Sequence, residues 1–236
     1  SAGATVVLAD PGCTRSGAVL LDFCERFGIS VLNLPTGLFS LAWQSFGEAR
    51  WPRALRLVVI GGEAYTEQAV AQWRGHAPAG MLRILTTYGP TEATIDVASV
   101  TLTGDEPSGL LGAPRPGVEL RVLDRTGREV APGLAGELAI GGHALARGYV
   151  GLAAETAARF VPDPAATGGR LYRTGDRVRM TDRGLRYCGR IDRQFKVAGK
   201  RLDPAPVEAL IAAASSGAQV RLVEPSEGIG LTAHVA

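Results

Sequence analysis

The chain has 236 residues, 46% of them hydrophobic and 20% charged, which is enough for a substantial core in one large unit or two smaller ones and excludes disorder throughout. Its 31 glycines and 14 prolines point to many turns and argue against a long helical bundle. The 25 basic and 23 acidic residues are spread along the chain and leave a formal charge of +2, a balance that provides no field to select nucleic acid or an acidic membrane but is compatible with small anionic ligands.

Residues 5–8 are apolar and are expected as a short buried strand, stopped at Asp10-Pro11-Gly12 far short of a membrane span and with no basic segment before it. Opening on such a segment without a start Met, the chain is expected to lack upstream residues. A helix is expected over residues 17–26, with Val19, Leu20, Phe23 and Phe27 at helical spacing, and a strand over 30–34. Pro35-Thr36 can open a further helix, 55–60 is a nearly continuous apolar strand ending at Gly61-Gly62, and 67–74 is helical. Residues 83–87 form a strand whose end delivers Tyr88 to Glu92, the place where ligand loops lie in an α/β sheet. The pattern then changes. Residues 119–124 alternate, 125–128 turn and 136–142 form another strand; after a helix at 153–160, residues 177–189 read as a hairpin around Asp182-Arg183-Gly184. Beyond Asp192 come a strand at 195–197, a helix at 206–213 and a strand at 218–223. The expected divisions are an α/β core at 1–104, an antiparallel barrel-like part at 105–191 and a partial α+β lobe at 192–236.

Cys13, Cys24 and Cys188 are isolated, with no second ligand at metal spacing, and so read as reduced cytoplasmic thiols. His76, His143 and His234 form no local Ser-His-Asp grouping, which leaves hydrolase chemistry unsupported. Thr86-Thr87-Tyr88-Gly89-Pro90-Thr91-Glu92 is either a tight capped loop or a nucleotide loop, with Tyr88 along a base, Thr91 on a phosphate and Glu92 on Mg2+. Gly61-Gly62-Glu63 is either a turn into a helix or a point where a flat ligand approaches the backbone. Asp176 is either a turn carboxylate or an acceptor for both hydroxyls of a ribose. Arg190 is either a surface cation beside Asp192 or an offset to phosphate charge. Lys196 and Lys200 read as solvated, and His143 and Arg147 as structural.

In order along the chain, Tyr88-Gly89-Pro90-Thr91-Glu92, Gly136-Glu137-Leu138 through Gly148-Tyr149, Tyr172-Arg173-Thr174-Gly175-Asp176 and Gly189-Arg190-Ile191-Asp192 resemble the motifs of adenylate-forming enzymes. With Asn33-Leu34-Pro35 and Gln194-Phe195-Lys196, the resemblance is greatest to the amino-acid adenylation domains of nonribosomal peptide synthetases. It implies an α/β fold with a mostly parallel sheet-and-helix layer, an antiparallel distorted β-barrel segment and the start of a small α+β C-terminal lobe. It also implies a two-step reaction: an amino acid and Mg-ATP give an aminoacyl adenylate and pyrophosphate, and the acyl group then passes to the phosphopantetheine thiol of a peptidyl carrier protein. A small accessory activator protein is a further partner of this kind of enzyme.

By resemblance, Gly61, Gly62 and Glu63 border the adenine, Tyr88 stacks near it on the turn made by Gly89, Thr91 and Glu92 serve phosphate and Mg2+, Asp176 binds ribose, and Arg190 lies near the reacting phosphate. Asp192 corresponds to a hinge for the C-terminal lobe. The side-chain pocket corresponds to Asn33, Val58, Ile60, Thr87, Ile95 and Asp96. An unpaired Asp96 facing that pocket favours a cationic or strongly hydrogen-bonding substrate. The phosphate-gripping loop, the Asp that pairs with the substrate amine and the late catalytic Lys of the family are absent from these residues, and Ala198 replaces a usual Arg. Little activity is therefore expected of residues 1–236 alone. The competing readings are an acyl-CoA synthetase-like ligase fragment and a catalytically degenerate, partner-binding module.

Overall fold

A computed structural model describes residues 3–10, 12–104, 106–166, 168–197, 200–215, 218–223 and 231–235, with backbone alone at 195–197, 200 and 201. Pro11, Ala198 and the side chains of Lys196 and Lys200 lie outside the described residues. The strand anticipated at 5–8 does not form. Val6 and Leu8 are 81% and 86% exposed, and with no neighbouring strand among the described residues the apolar run has no ladder to join.

Regular structure begins with α1 (Gly17–Arg26), where the Ser16 hydroxyl accepts from the Val19 amide at 3.3 Å and Leu20, Leu21 and Cys24 are buried. It crosses α2 (Thr36–Ala42) at Gly17, where a Cβ would lie 2.0 Å from the Ala42 carbonyl oxygen, so only glycine permits the approach. The strands β1 (Val31–Pro35), β2 (Leu57–Gly61) and β3 (Arg83–Tyr88) are parallel, and α3 (Glu67–His76), capped by Thr66, connects the last two. In register, Leu32, Val58 and Ile84 lie side by side, as do Asn33, Val59 and Leu85 on the opposite face. Strand alternation thus sends Leu32, Leu34, Val58, Ile60 and Ile84 into one core with α1, α2 and α3.

Trp73 is the largest side chain in that core, fully buried, stacked on Phe39 with ring centroids 4.9 Å apart, and its indole N–H donates to the Phe39 carbonyl at 2.9 Å. Trp73→Ala is expected to cost about 3–5 kcal/mol, read as a lower urea midpoint at unchanged slope.

Two further strands, β4 (Ala98–Leu102) and β5 (Leu110–Pro114), turn the sheet antiparallel. Glu106 holds the loop between them by accepting from the Thr103 amide at 2.8 Å, the Thr103 hydroxyl at 2.5 Å and the Gly104 amide at 2.9 Å. Burial alone would push this carboxyl up, but these donors outweigh it and bring it from 4.5 to about 2. The folded form therefore gains stability above pH 4.5, and the gain disappears as pH falls from 4.5 toward about 2. The difference in melting temperature between wild type and Glu106→Gln is expected to shrink over that interval. A difference constant with pH would refute the assignment.

The chain continues through β6 (Val118–Leu123), β7 (Ala135–Gly142), α4 (Ala153–Arg159), β8 (Phe160–Pro162), β9 (Arg170–Thr181) and β10 (Gly184–Arg190). Among the described residues the sheet has ten strands in the order β1-β2-β3-β4-β5-β10-β9-β7-β6, with β8 also on β9. Its second half encloses a separate core that includes Val97, Leu138, Ile140, Phe160 and Tyr172. Both halves belong to one mixed sheet, joined by β5, which pairs with β4 on one edge and β10 on the other. The expected hairpin is thereby extended, since β9 starts at Arg170 and carries Tyr172 to Asp176 within it.

After β10 come β11 (Phe195–Val197) paired with β12 (Lys200–Leu202), α5 (Pro204–Ala214), and β13 (Val220–Val223) paired with β14 (Thr232–Val235). The helix expected at 206–213 starts two residues earlier, because Asp203 caps it through the Ala205 amide at 3.0 Å and Pro204 supplies a preset first turn. Among the described residues no helix is long and apolar enough to cross a membrane.

Candidate active site

The end of β3 places Tyr88 against β9, where its hydroxyl donates to Asp176 Oδ2. Arg190, from the end of β10, donates to Asp176 Oδ1 at 2.8 Å, to Asp192 Oδ1 at 2.7 Å and to Gln194 Oε1 at 2.9 Å. The side chains of Asp176 and Arg190 are only 4% and 13% exposed, so the pair is shielded from solvent. Burial works against the Arg190 charge, but the Asp192 and Asp176 carboxylates outweigh it and raise its pKa. Burial likewise opposes ionisation of Asp192, and the Arg190 guanidinium reverses this and holds the carboxyl below its ordinary value. The Tyr88 phenol is pushed well up, first by burial and then by the Asp176 charge, and remains a hydrogen-bond donor.

Glu137 of β7 fixes the turn in β9. Its Oε2 accepts from Arg173 Nε at 2.9 Å, its Oε1 accepts from the Gly175 amide at 3.0 Å, and the Thr174 hydroxyl donates to the Leu138 carbonyl at 2.7 Å. Gly175 has φ +73°, and a Cβ there would lie 2.7 Å from both Arg190 Nη2 and Asp192 Oδ2. Glycine at that point is what allows carboxylate, guanidinium and the segment leading into β11 to converge.

Thr91 and Glu92 sit on a 3₁₀ turn (Thr91–Ala93) that follows β3. The Tyr149 hydroxyl donates to Glu92 Oε1 at 2.7 Å, the Ala146 amide to the Glu92 carbonyl at 2.8 Å and the Thr94 hydroxyl to the Ala144 carbonyl at 2.7 Å. The segment 144–149 thus clamps the turn. Burial, and then the bond to Glu92, raise the Tyr149 phenol and keep its proton in place.

A cavity of about 680 Å³ opens beside these groups, walled by the Gly62–Tyr65 segment, the end of β3, β5, β10 and part of β13. Of the residues expected at the site, Gly62, Glu63, Thr87, Tyr88, Gly89, Arg190 and Asp192 line it. Asp176 joins through Tyr88 and Arg190, and Gly61 abuts Thr87, whose hydroxyl oxygen lies 2.5 Å from where a Gly61 Cβ would be. Thr91 and Glu92 are one turn further along the same loop, and Asn33 is exposed on the neighbouring sheet face.

Val58 and Ile60 do not face this side. Both are fully buried in the helix-packed core, and alternation instead gives Val59 and Gly61 to the face that carries Asn33 and Thr87. Asp96 is not unpaired: its Oδ2 accepts from Arg115. Ile95 is 72% exposed with φ +70°, in the left-handed region that β-branched residues avoid. Glu137, Tyr149 and Arg115 are partners that the sequence did not assign. Glu137 and Tyr149 lay within motifs already noted, whereas Arg115 carried no local signal.

Among the described residues no three His, Cys, Asp or Glu side chains gather as a metal cage. Mg2+ needs no such cage, being commonly held by one or two protein carboxylates together with substrate phosphates and water, and Glu92 is a carboxylate fixed on its turn by Tyr149.

Residues 1–150 match the AMP-binding enzyme family. The isonitrile lipopeptide synthase of Streptomyces coeruleorubidus is 44% identical over 223 residues, covering 90% of this chain and 14% of that protein. The dimodular nonribosomal peptide synthase of Bacillus subtilis is 34% identical over 221 residues, covering 89% of this chain and 9% of that protein. The chain thus spans a small part of the length of these relatives. Among solved structures, holo-PA1221, described as an NRPS protein containing adenylation and PCP domains bound to a vinylsulfonamide inhibitor, superposes with a TM-score of 0.80 at 29% identity, over 93% of this chain and 39% of that one. IdnL1 superposes with a TM-score of 0.85 at 26% identity, over 99% of this chain and 49% of that one. With its motifs gathered around one cavity and its mixed sheet shared with these structures, the chain belongs to the AMP-binding enzyme family, within the adenylate-forming superfamily that includes the adenylation domains of nonribosomal peptide synthetases.

Proposed function

We propose that this chain is the central part and the beginning of the C-terminal lobe of an amino-acid adenylation domain. Its parent would join an amino acid to AMP with release of pyrophosphate and then pass the acyl group to the phosphopantetheine thiol of a peptidyl carrier protein. The observation that carries this reading is the convergence of Tyr88, Asp176 and Arg190 at one wall of the cavity, one turn from Thr91 and Glu92.

In this reading the glycine backbone at 61 and 62, with Glu63, borders the adenine, and Tyr88 presents its ring to it. Asp176 accepts the ribose hydroxyls, exchanging its present donors for them. Thr91 donates to a phosphate oxygen. Glu92 holds Mg2+, which when bound neutralises phosphate charge. Arg190 faces the reacting phosphate and offsets the charge that builds as pyrophosphate leaves. Asp192 is the hinge about which the residues beyond it swing between the two half-reactions. Asn33, Thr87, Ile95 and Asp96 border the substrate side chain, with Val59 and Gly61 completing that surface.

The reading predicts amino-acid-dependent exchange of pyrophosphate into ATP by the longest polypeptide that contains this chain, and loading of a carrier protein in preference to free CoA. Transfer to CoA would favour an acyl-CoA synthetase. Absence of exchange with every carboxylate, despite ATP binding, would favour a partner-binding module. The same assay on residues 1–236 alone measures what this piece does by itself.

A further inference from the structure

Arg190 is held by acceptors from both sides of Asp192. Its Nε and Nη2 donate to the two Asp192 carboxylate oxygens at 2.7 and 2.5 Å, and its Nη1 donates to Asp176 Oδ1 at 2.8 Å. Nη2 donates in addition to Gln194 Oε1 at 2.9 Å. The guanidinium fork is thereby used up except for the second N–H of Nη1, which is left for a ligand in the cavity that Arg190 lines.

The contacts of this segment divide between Asp192 and Arg193. Asp192 is fastened to residues before it, to Arg190 and to Arg159 of α4, whose Nη2 lies 3.7 Å from Oδ2. Arg193 is fastened to residues after it: it donates to Glu208 of α5 at 2.5 and 3.1 Å, and Glu208 Oε1 also accepts from the Leu222 amide of β13 at 2.7 Å. Gln194 therefore travels with α5 and β13, whose Arg221, Leu222 and Val223 wall the same cavity. Its amide donates to Asp192 Oδ1 at 3.2 Å and its side chain reaches Arg190, so both point back across Asp192. A turn of the lobe about Asp192 carries Gln194 away and leaves Asp176 with Arg190.

We propose that Gln194 is a positioning residue for the adenylating half-reaction. Its carboxamide oxygen completes the acceptors that aim the remaining Nη1 N–H of Arg190 at the reacting phosphate, and it does so while the lobe is seated against the cavity. A neutral acceptor suits the place, because a third carboxylate beside Asp176 and Asp192 would repel the phosphate. Transfer to the thiol, with the lobe turned, does not use it. This rests on the reading above, in which Arg190 faces the reacting phosphate and Asp192 is the hinge.

The test uses the longest polypeptide containing the chain, the amino acid it activates, and two assays: pyrophosphate exchange, and single-turnover transfer from added aminoacyl adenylate to a carrier protein. Gln194→Met keeps the length of the side chain and loses the acceptor. It is expected to lower the exchange kcat about tenfold with KM little changed, and to leave transfer within about twofold of wild type. Gln194→Glu restores the acceptor and adds a charge, so kcat is expected near wild type and KM for Mg-ATP raised. In an Arg190→Lys background, which has no fork to hold, Gln194→Met is expected to cost less than about twofold.

A wild-type exchange kcat in Gln194→Met overturns the proposal and leaves adenylation standing. So does an equal loss in the Arg190→Lys background, or an equal loss of transfer, since either makes the effect one of general structure. Should Gln194→Met not fold, a tenfold loss of kcat in Gln194→Glu overturns it. Absence of exchange by the wild type with every carboxylate removes the adenylation reading, and this proposal with it.

Discussion

Asp176→Asn is expected to destabilise the protein by about 3 kcal/mol and to reduce pyrophosphate exchange by ~10²-fold or more. The stability loss follows from its place: a carboxylate 4% exposed, with Arg190 on one oxygen and Tyr88 on the other. The amide keeps the shape but leaves Arg190 facing a neutral group. The loss falls at the lower end for a broken buried ion pair because Asp192 still contacts the guanidinium. The activity loss follows from the ribose: two hydroxyls lose a charged acceptor, and each such bond contributes about 1.5–3 kcal/mol. Chemical denaturation and exchange kinetics on the same preparation separate the two effects. Exchange within about fivefold of wild type would mean that Asp176 does not hold the ribose.

Glu92→Gln is expected to behave differently, with exchange down ~10²–10³-fold and a melting temperature close to wild type. Gln retains an oxygen to accept from Tyr149, and the backbone bond from Ala146 is untouched, so the clamp on the turn survives. The substitution removes the carboxylate charge. The same substitution is expected to move the Mg2+ concentration needed for ATP to stabilise the protein upward, a readout independent of turnover. An unchanged Mg2+ requirement would remove Glu92 from the metal.

Local signals served the sequence reading well where structure is local. The spacing of Leu20 and Phe23 gave α1, and the end of β3 is where the Tyr88 to Glu92 loop lies. They failed where a neighbour decides. Residues 5–8 look like a strand, yet no strand among the described residues pairs with them. In the continuous apolar run of β2, alternation is silent about which side is buried; the resemblance points to Val58 and Ile60, whereas Val59 and Gly61 are the half-buried residues on the face of Asn33 and Thr87. The Asp96–Arg115 pair is separated by 19 positions that include the strands β4 and β5, and no periodicity links them. Glu137 has no partner assigned within its motif, and only when β9 folds against β7 do its two oxygens take Arg173 and Gly175.

The single sheet also governs how the chain can be divided. A cut near residue 104 seems natural from the change of pattern, yet β5 is hydrogen-bonded along both edges, to β4 and to β10. Separating the halves there would strip β4 of its neighbour and leave β5 with a bare edge of its own, each a row of unsatisfied amides and carbonyls ready to recruit strands from other molecules. Halves produced that way are expected to aggregate, and a soluble shorter piece has to keep the sheet from β1 through β10 together.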